Sequence, residues 1–300
     1  MPNNVAGFGF STSQHRDTGG LDGDLARIAE LGAGFAELSL CAMDLVVAGR
    51  PYAPRLRELE RVCAKHRLRY TAHGPLAVNF MDPRHDALFR RVVPAYLDIC
   101  HAVGATVLVL HTGVVQRRPQ PELDHLHARE REALRQLGDV AAKAGVKLAL
   151  ETLYPTGPDS YTANPARLAA EIEAVDHPNV VGCLDLSHAY LNCTFNGLDF
   201  EAEVERFATV AGHLHMHDSF GLPATVRGFS GAEDVAFGLG DLHLPLGYGD
   251  IPFERLLPRL AVKPETVLLC ELPPHFHVDG AHCAERLRSW APLVGQAAAG

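Results

Sequence analysis

Short apolar runs alternate with longer amphipathic ones along the whole chain. Residues 5–10 form a brief apolar stretch. Leu21, Leu25, Ile28, Ala29 and Leu31 then recur near helical spacing, and Gly32 supplies a stop signal. The same alternation predicts strands over 34–40, 69–74 and 106–110, with helices over 54–66 and from about 84 to 103, the last ended by Gly104. In the second half, a helix over 122–144 ends at Gly145 and leads into a strand over 146–150. Asn164 followed by Pro165 reads as an N-cap and first turn for a helix reaching Val175. Further strands are predicted over 180–184, 212–216 and 266–270, with helices over 200–210, 252–260 and 281–294. Eight β-then-α units in 300 residues predict an α/β fold, a single (β/α)8 TIM barrel occupying residues 1–300. A doubly wound open sheet is the rival. No glycine-rich phosphate fingerprint follows the first strand, which weakens its dinucleotide-binding version.

Composition narrows the functional classes. With 47% hydrophobic and 21% charged residues the chain has material for a full core and is not disordered. No apolar run approaches the roughly 20 residues that cross a bilayer, and no basic-then-apolar leader opens the sequence, so no membrane or secretory role is expected. The 7 cysteines are odd in number and scattered without a C-x-x-C pair, which suits a reducing, cytoplasmic compartment. A net charge of −9 disfavours binding nucleic acid across the whole surface. The 17 histidines outnumber tyrosine (7) and tryptophan (1) together, so their positions matter.

Barrel chemistry lies at the C-terminal ends of the strands. Strand three ends at His73, strand four at His111, strand five at Glu151 and strand six at Asp185. Strand seven carries His213, His215 and His217, and strand eight leads to Glu271. Any one of these could be a solvated strand end, but packing and solubility do not place an ionisable group after six consecutive apolar runs. His188 stands three residues past Asp185, and Asp241 and His243 form a D-x-H pair in the long loop before strand eight. This mixture of imidazole and carboxylate suits Zn2+, Mn2+ or Fe2+ and offers too few oxygens for calcium.

These motifs, in this order from strand three to strand eight, resemble the xylose isomerase-like barrels, a superfamily that includes sugar-phosphate isomerases and epimerases and endonuclease IV. The resemblance places a four-ligand metal site on Glu151, Asp185, His215 and Glu271. His215 is preferred over His217 because His215-Met216-His217-Asp218 matches the family's H-x-x-[DE]. The stretch from His243 to Ile251 is similar to H-x-x-L-G-x-G-x-I, with Tyr248 where an acidic residue is common. Endonuclease IV holds three zinc ions with nine ligands, and all nine positions are filled here. By that likeness His73 and His111 share one ion with Glu151, and Asp185, His215 and Glu271 hold the second beside Glu151. His188, Asp241 and His243 hold the third. The aromatic residue that follows the nuclease's strand-three H-x-P is Leu76 here, and together with the acidic charge this argues against DNA as substrate.

The sequence therefore predicts an enzyme using a divalent metal, zinc as two or three ions, with Mn2+ as the alternative. Isomerisation or epimerisation of a small sugar or sugar phosphate comes first, with Glu151 and Glu271 exchanging the substrate proton across the metal. A multi-zinc phosphoester hydrolase of endonuclease IV type is the alternative, and a non-catalytic metal-binding barrel the third reading. The ligand surplus favours several ions, whereas an isomerase needs only four of these residues. Substrate contacts are expected from His188 (if it does not bind metal), His217 at the rim, His15 after strand one and Arg227 after strand seven. Arg16, Arg117 and Arg118 are further candidates for holding one phosphate or carboxylate. His213 is expected deeper, as a hydrogen-bonded interior group. The reading is compatible with an oligomer.

Overall fold

The computed structural model describes residues 4–226, 228 and 230–296. In chain order the main elements are β1 (Val5–Ser11), α1 (Leu21–Glu30), β2 (Phe35–Leu38), α2 (Ala53–Cys63), β3 (Arg69–His73), α3 (Asp86–Val103), β4 (Ala105–His111), α4 (Gln120–Ala144) and β5 (Lys147–Glu151). They continue with α5 (Pro165–Val175), β6 (Val180–Asp185), α6 (Leu186–Asn196), α7 (Phe200–Ala208), β7 (Ala211–Met216), α8 (Gly231–Phe237), α9 (Phe253–Leu256), β8 (Thr266–Cys270) and α10 (Gly280–Trp290). Each of the eight strands pairs in parallel with its sequence neighbours, and β8 closes on β1. The fold is the closed (β/α)8 barrel that the alternation predicts. No described helix is long and apolar enough to cross a membrane.

Local signals set the element ends. Gly104 and Gly145 terminate α3 and α4 in the left-handed conformation, with φ of 71° and 72°. The Asn164 side chain accepts the Arg167 N–H at the start of α5. Three features were not foreseen. Helix α6 starts directly on Asp185, whose Oδ1 accepts the His188 N–H at 2.7 Å, so the D-x-x-H motif is also a helix cap. Helix α8 lies in the loop after β7. Two-residue antiparallel pairs, Val46–Val47 with Arg50–Pro51 and Val115–Gln116 with Ser160–Tyr161, are too short to show a period.

Strand alternation divides each run between two environments. Leu108, Leu110, Leu148, Leu150, Leu184 and Leu214 belong to the main core shared with the helices, whereas Val107, Val109, Ala149, Val181 and Cys183 form a separate small cluster inside the barrel. The next inward position up from that cluster is His111 on β4, Glu151 on β5 and Asp185 on β6. The register sets these residues near one level, with His111 opposite Glu151 and Asp185 opposite His215. Polar groups are not confined to the strand ends, and His213 lies deeper as expected. Glu37, Thr71 and His213 form a buried polar layer beneath them. Glu37 Oε2 accepts from Thr71 Oγ1 at 3.0 Å and from His213 Nε2 at 2.9 Å.

Candidate metal centre

The strand ends bring three groups of donors together. In the first, His73 Nε2 and His111 Nε2 lie 3.2 and 3.3 Å from Glu151 Oε2, with the two rings edge to face. His73 Nδ1–H donates to the Gly74 carbonyl at 3.1 Å, which leaves Nε2 as the atom facing the carboxylate. In the second, His215 Nδ1 lies 3.0 Å from Glu151 Oε1, 3.7 Å from Glu271 Oε2 and 3.9 Å from Asp185 Oδ2. In the third, His188 Nε2 and His243 Nε2 lie 3.1 and 3.0 Å from Asp241 Oδ2. His188 Nδ1–H donates to the Thr152 carbonyl at 3.0 Å. Glu151 thus turns one oxygen to the first group and the other to the second.

The loop that carries Asp241 and His243 is fastened to the end of β7. Asp218 and Leu244 exchange both backbone hydrogen bonds, at 2.9 and 3.0 Å. The Asp218 carboxylate accepts the N–H groups of Gly247 at 2.8 Å and Ile251 at 3.2 Å. Burial nonetheless pushes this carboxyl upward, against the four backbone donors that lower it. Asp218 is therefore the anchor that joins the two sequence motifs, H-x-x-D and H-x-x-L-G-x-G-x-I. His243 sits at φ 46°, a strained conformation for a histidine that the anchored loop imposes.

The electrostatics of the cluster call for cations. Glu37, Glu151 and Asp185 are sealed from solvent, and Glu271 and Asp241 keep only 15% and 16% side-chain exposure. Among the described residues, no lysine or arginine pairs with any of the five. Their charged neighbours are imidazoles. Burial alone would raise the Glu151 carboxyl, but His215 and His111 and the hydrogen bonds from His188 and His215 hold it well below the usual range. Burial opposes a charge on His188, which Asp185 and Asp241 nevertheless hold well above its ordinary value. His215 is raised in the same way by Cys183, Glu271, Glu37 and Glu151. His243 is pushed up to about 9, Asp241 outweighing burial. His73 is also raised, whereas burial takes His111 down to about 4. Donor atoms 3.0 to 3.9 Å apart are what ligands roughly 2.0–2.2 Å from a common ion require. The donor set, its charge and its spacing all fit divalent ions.

Above the cluster opens a cavity of about 970 Å³. His73, His111, Glu151, His188, Asp241, His243 and Glu271 form its floor. Apolar walls come from Leu76, Leu153, Leu272, Pro273 and Pro274. The ends of β1 and β2 contribute as well, through Ser11, Thr12 and Ser39, so the mouth is not built from strands three to eight alone. His15 lines the cavity and is tied to Asp24 at 3.0 Å. His217 does not reach the rim. It is fully buried, off the cavity wall, with Nε2 2.9 Å from Asp185 Oδ2. None of the candidate arginines among the described residues lines the cavity. Arg16 pairs with Asp44, Arg117 reaches the Ser160 carbonyl, and Arg118 lies in an adjoining cleft beside Glu122. Arg227 lies outside the described residues. The residue that sequence reasoning missed is Glu37, 1% exposed and bonded to both His213 and His215. Its only signal was a carboxylate in the middle of the run Phe35-Ala36-Glu37-Leu38.

Residues 25–290 match the model of the xylose isomerase-like TIM barrel family, and the chain belongs to that family. It is 28% identical over 230 residues to a probable endonuclease 4 of Mycoplasma pneumoniae, covering 73% of this chain and 74% of that protein. Among solved structures it is similar to a D-tagatose 3-epimerase-like protein, with TM-score 0.70 and 17% identity over 95% of this chain and 98% of the other. It is also similar to the IOLI protein with a bound zinc atom, with TM-score 0.62 and 16% identity over 94% and 96% of the two chains. At those identities the two solved structures speak for the fold.

Proposed function

We propose that the protein is a multi-zinc phosphoester hydrolase acting on a small phosphorylated molecule. The observation that carries this is Glu151, whose two oxygens are committed in opposite directions, Oε2 to His73 and His111 and Oε1 to His215. A carboxylate held this way is suited to bridging two ions. It is poorly suited to removing a proton from a substrate carbon, as the epimerase mechanism asks. None of His73, His111, His188, Asp241 and His243 is a ligand in a one-metal isomerase, where His188 alone keeps the task of a substrate contact. The relative named as an endonuclease supports the same choice.

His73, His111 and Glu151 would hold one ion, Glu151, Asp185, His215 and Glu271 a second, and His188, Asp241 and His243 a third. Bound there, such ions supply Lewis acidity toward phosphoryl oxygens and lower the pKa of water. The protein's own groups do the rest. Glu37 orients His215 from behind, and Asp185 is fixed by its cap on α6. Among the carboxylates that border the cavity, Glu271 and Asp241 are the most exposed, at 15% and 16%, and would take the proton of the attacking water. The apolar walls suit the organic part of a substrate. The acidic net charge and the exposed Leu76 at the mouth do not suit duplex DNA, which needs a basic rim.

The isomerase or epimerase reading stays second. It is favoured by the placement of both Glu151 and Glu271 beside His215. One pair of assays separates the two. Hydrolysis of a small phosphodiester in 18O-water, with the label recovered in the phosphomonoester product and lost in His111→Ala, supports the proposal. Deuterium uptake from D2O into a ketose at carbon, unaffected by His111→Ala, overturns it. Efficient zinc-dependent incision of duplex DNA at an abasic site, lost in His111→Ala, keeps hydrolysis and rejects the small substrate.

A further inference from the structure

His217 is buried completely between the second and third donor groups. Its Nε2 lies 2.9 Å from Asp185 Oδ2 and 3.8 Å from Glu271 Oε2. Its Nδ1 faces Asp241 Oδ1 at 3.8 Å and has no hydrogen-bond partner. The ring is stacked on His243, with centroids 3.9 Å apart and planes 13° from parallel, so it cannot swing to find one without unstacking.

We infer that His217 is a further metal ligand, binding through Nε2 beside Asp185 and Glu271. The inference rests on the metal-centre reading above. A neutral imidazole has one N–H and one lone pair. If Nε2–H donates to Asp185, the Nδ1 lone pair is buried facing the Asp241 carboxylate, two electron-rich atoms with nothing between them. An ion on Nε2 reverses the tautomer. The proton then sits on Nδ1, on the side of Asp241 Oδ1 3.8 Å away, where ligating histidines usually have a carboxylate neighbour. The Nε2 separations from Asp185 and Glu271, 2.9 and 3.8 Å, are close to the 3.0 to 3.9 Å that separate His215 from Glu151, Asp185 and Glu271. The central group then holds two imidazoles rather than one. That shifts its preference toward zinc and away from Mn2+, because imidazole suits the former and carboxylate the latter.

The direct test is a crystal of the zinc-loaded wild-type protein with anomalous scattering collected at the zinc edge. The inference expects His217 Nε2 roughly 2.0–2.1 Å from the central ion. An ion in that group with Nε2 still bonded to Asp185 instead overturns it. In solution, His217→Asn and His217→Ala, checked for folding by circular dichroism, should bind one class of zinc at least about 10-fold more weakly in competition with a chromophoric chelator, since even lost outer-sphere partners cost that much. Unchanged zinc affinity in folded variants overturns the inference while leaving the metal centre standing. A wild-type chain that takes up no divalent ion overturns both.

Discussion

Glu37 Oε1 lies 3.1 Å from His215 Nε2, on the side of the ring away from Glu151. The contact fixes the proton on Nε2 and leaves Nδ1 as the donor atom toward the central group, the arrangement in which an outer carboxylate raises ligand basicity. Glu37→Gln keeps the shape and removes the charge. It should weaken zinc binding roughly 10- to 100-fold. Glu37→Leu also leaves two buried histidines without their partner, and stability should fall by about 3–5 kcal/mol. Chelator competition and chemical denaturation read the two effects separately. A Glu37→Gln protein with unaltered zinc affinity contradicts the assigned role.

Asp218 acts on the third group without touching an ion. Its carboxylate holds the N–H groups of Gly247 and Ile251, and through them the loop that presents Asp241 and His243. Asp218→Ala should lower zinc content by one equivalent while the first two groups stay loaded. Gly249→Ala should do the same, because a Cβ there would overlap the Ser219 backbone and the Asp218 carboxylate. Elemental analysis decides it. Full zinc content in both variants would show that the loop holds its place without the anchor.

Replacing Glu151 with glutamine takes one charge from two groups at once. Loss of phosphoester hydrolysis by several orders of magnitude is expected, along with loss of more than one zinc. Glu271→Gln should lower activity strongly but cost no more than one ion, since Glu271 is assigned to the second ion alone, with its Oε2 3.7 Å from His215 Nδ1. Activity within a few-fold of wild type in Glu151→Gln removes that residue from the mechanism.

The metal-free protein should respond to pH through its histidines. His73, His188 and His215 are raised in the fold, and His243 is raised from 6.5 to about 9. Groups raised on folding contribute stability that is complete below the unfolded value and is lost as pH climbs through the folded one. The Tm of the metal-free form should therefore fall between pH 6.5 and 9. Zinc competes with these protons, so the Tm increase on adding zinc should grow across the same window. A zinc-induced shift that is flat or shrinks from pH 6.5 to 9 is the contrary result.

The barrel was legible because its signals are local and repeated: eight apolar runs, glycine stops at 104 and 145, and the Asn164-Pro165 start. That ionisable residues gather at the barrel mouth was legible because each follows an apolar run or sits in a spaced motif. Glu37 escaped notice because a strand position shows its direction only once the closed barrel fixes which face is inward. His217 was assigned to the rim because alternation gives the face of a strand but not its depth, and β7 sinks its last residues beneath the Asp218 loop. Helix α6 was hidden by its own cap, since Asp185-Leu186-Ser187-His188 reads as a ligand motif before it reads as a helix start.

The measurement that bears most directly on the account is zinc stoichiometry of the purified wild-type protein by elemental analysis, joined to anomalous scattering from the same crystals. Two or three ions per chain are expected, with density between His73, His111 and Glu151 as well as in the central group. One ion per chain in a fully loaded sample, with the His73 and His111 pair empty, would contradict it and return the protein to one-metal isomerase chemistry.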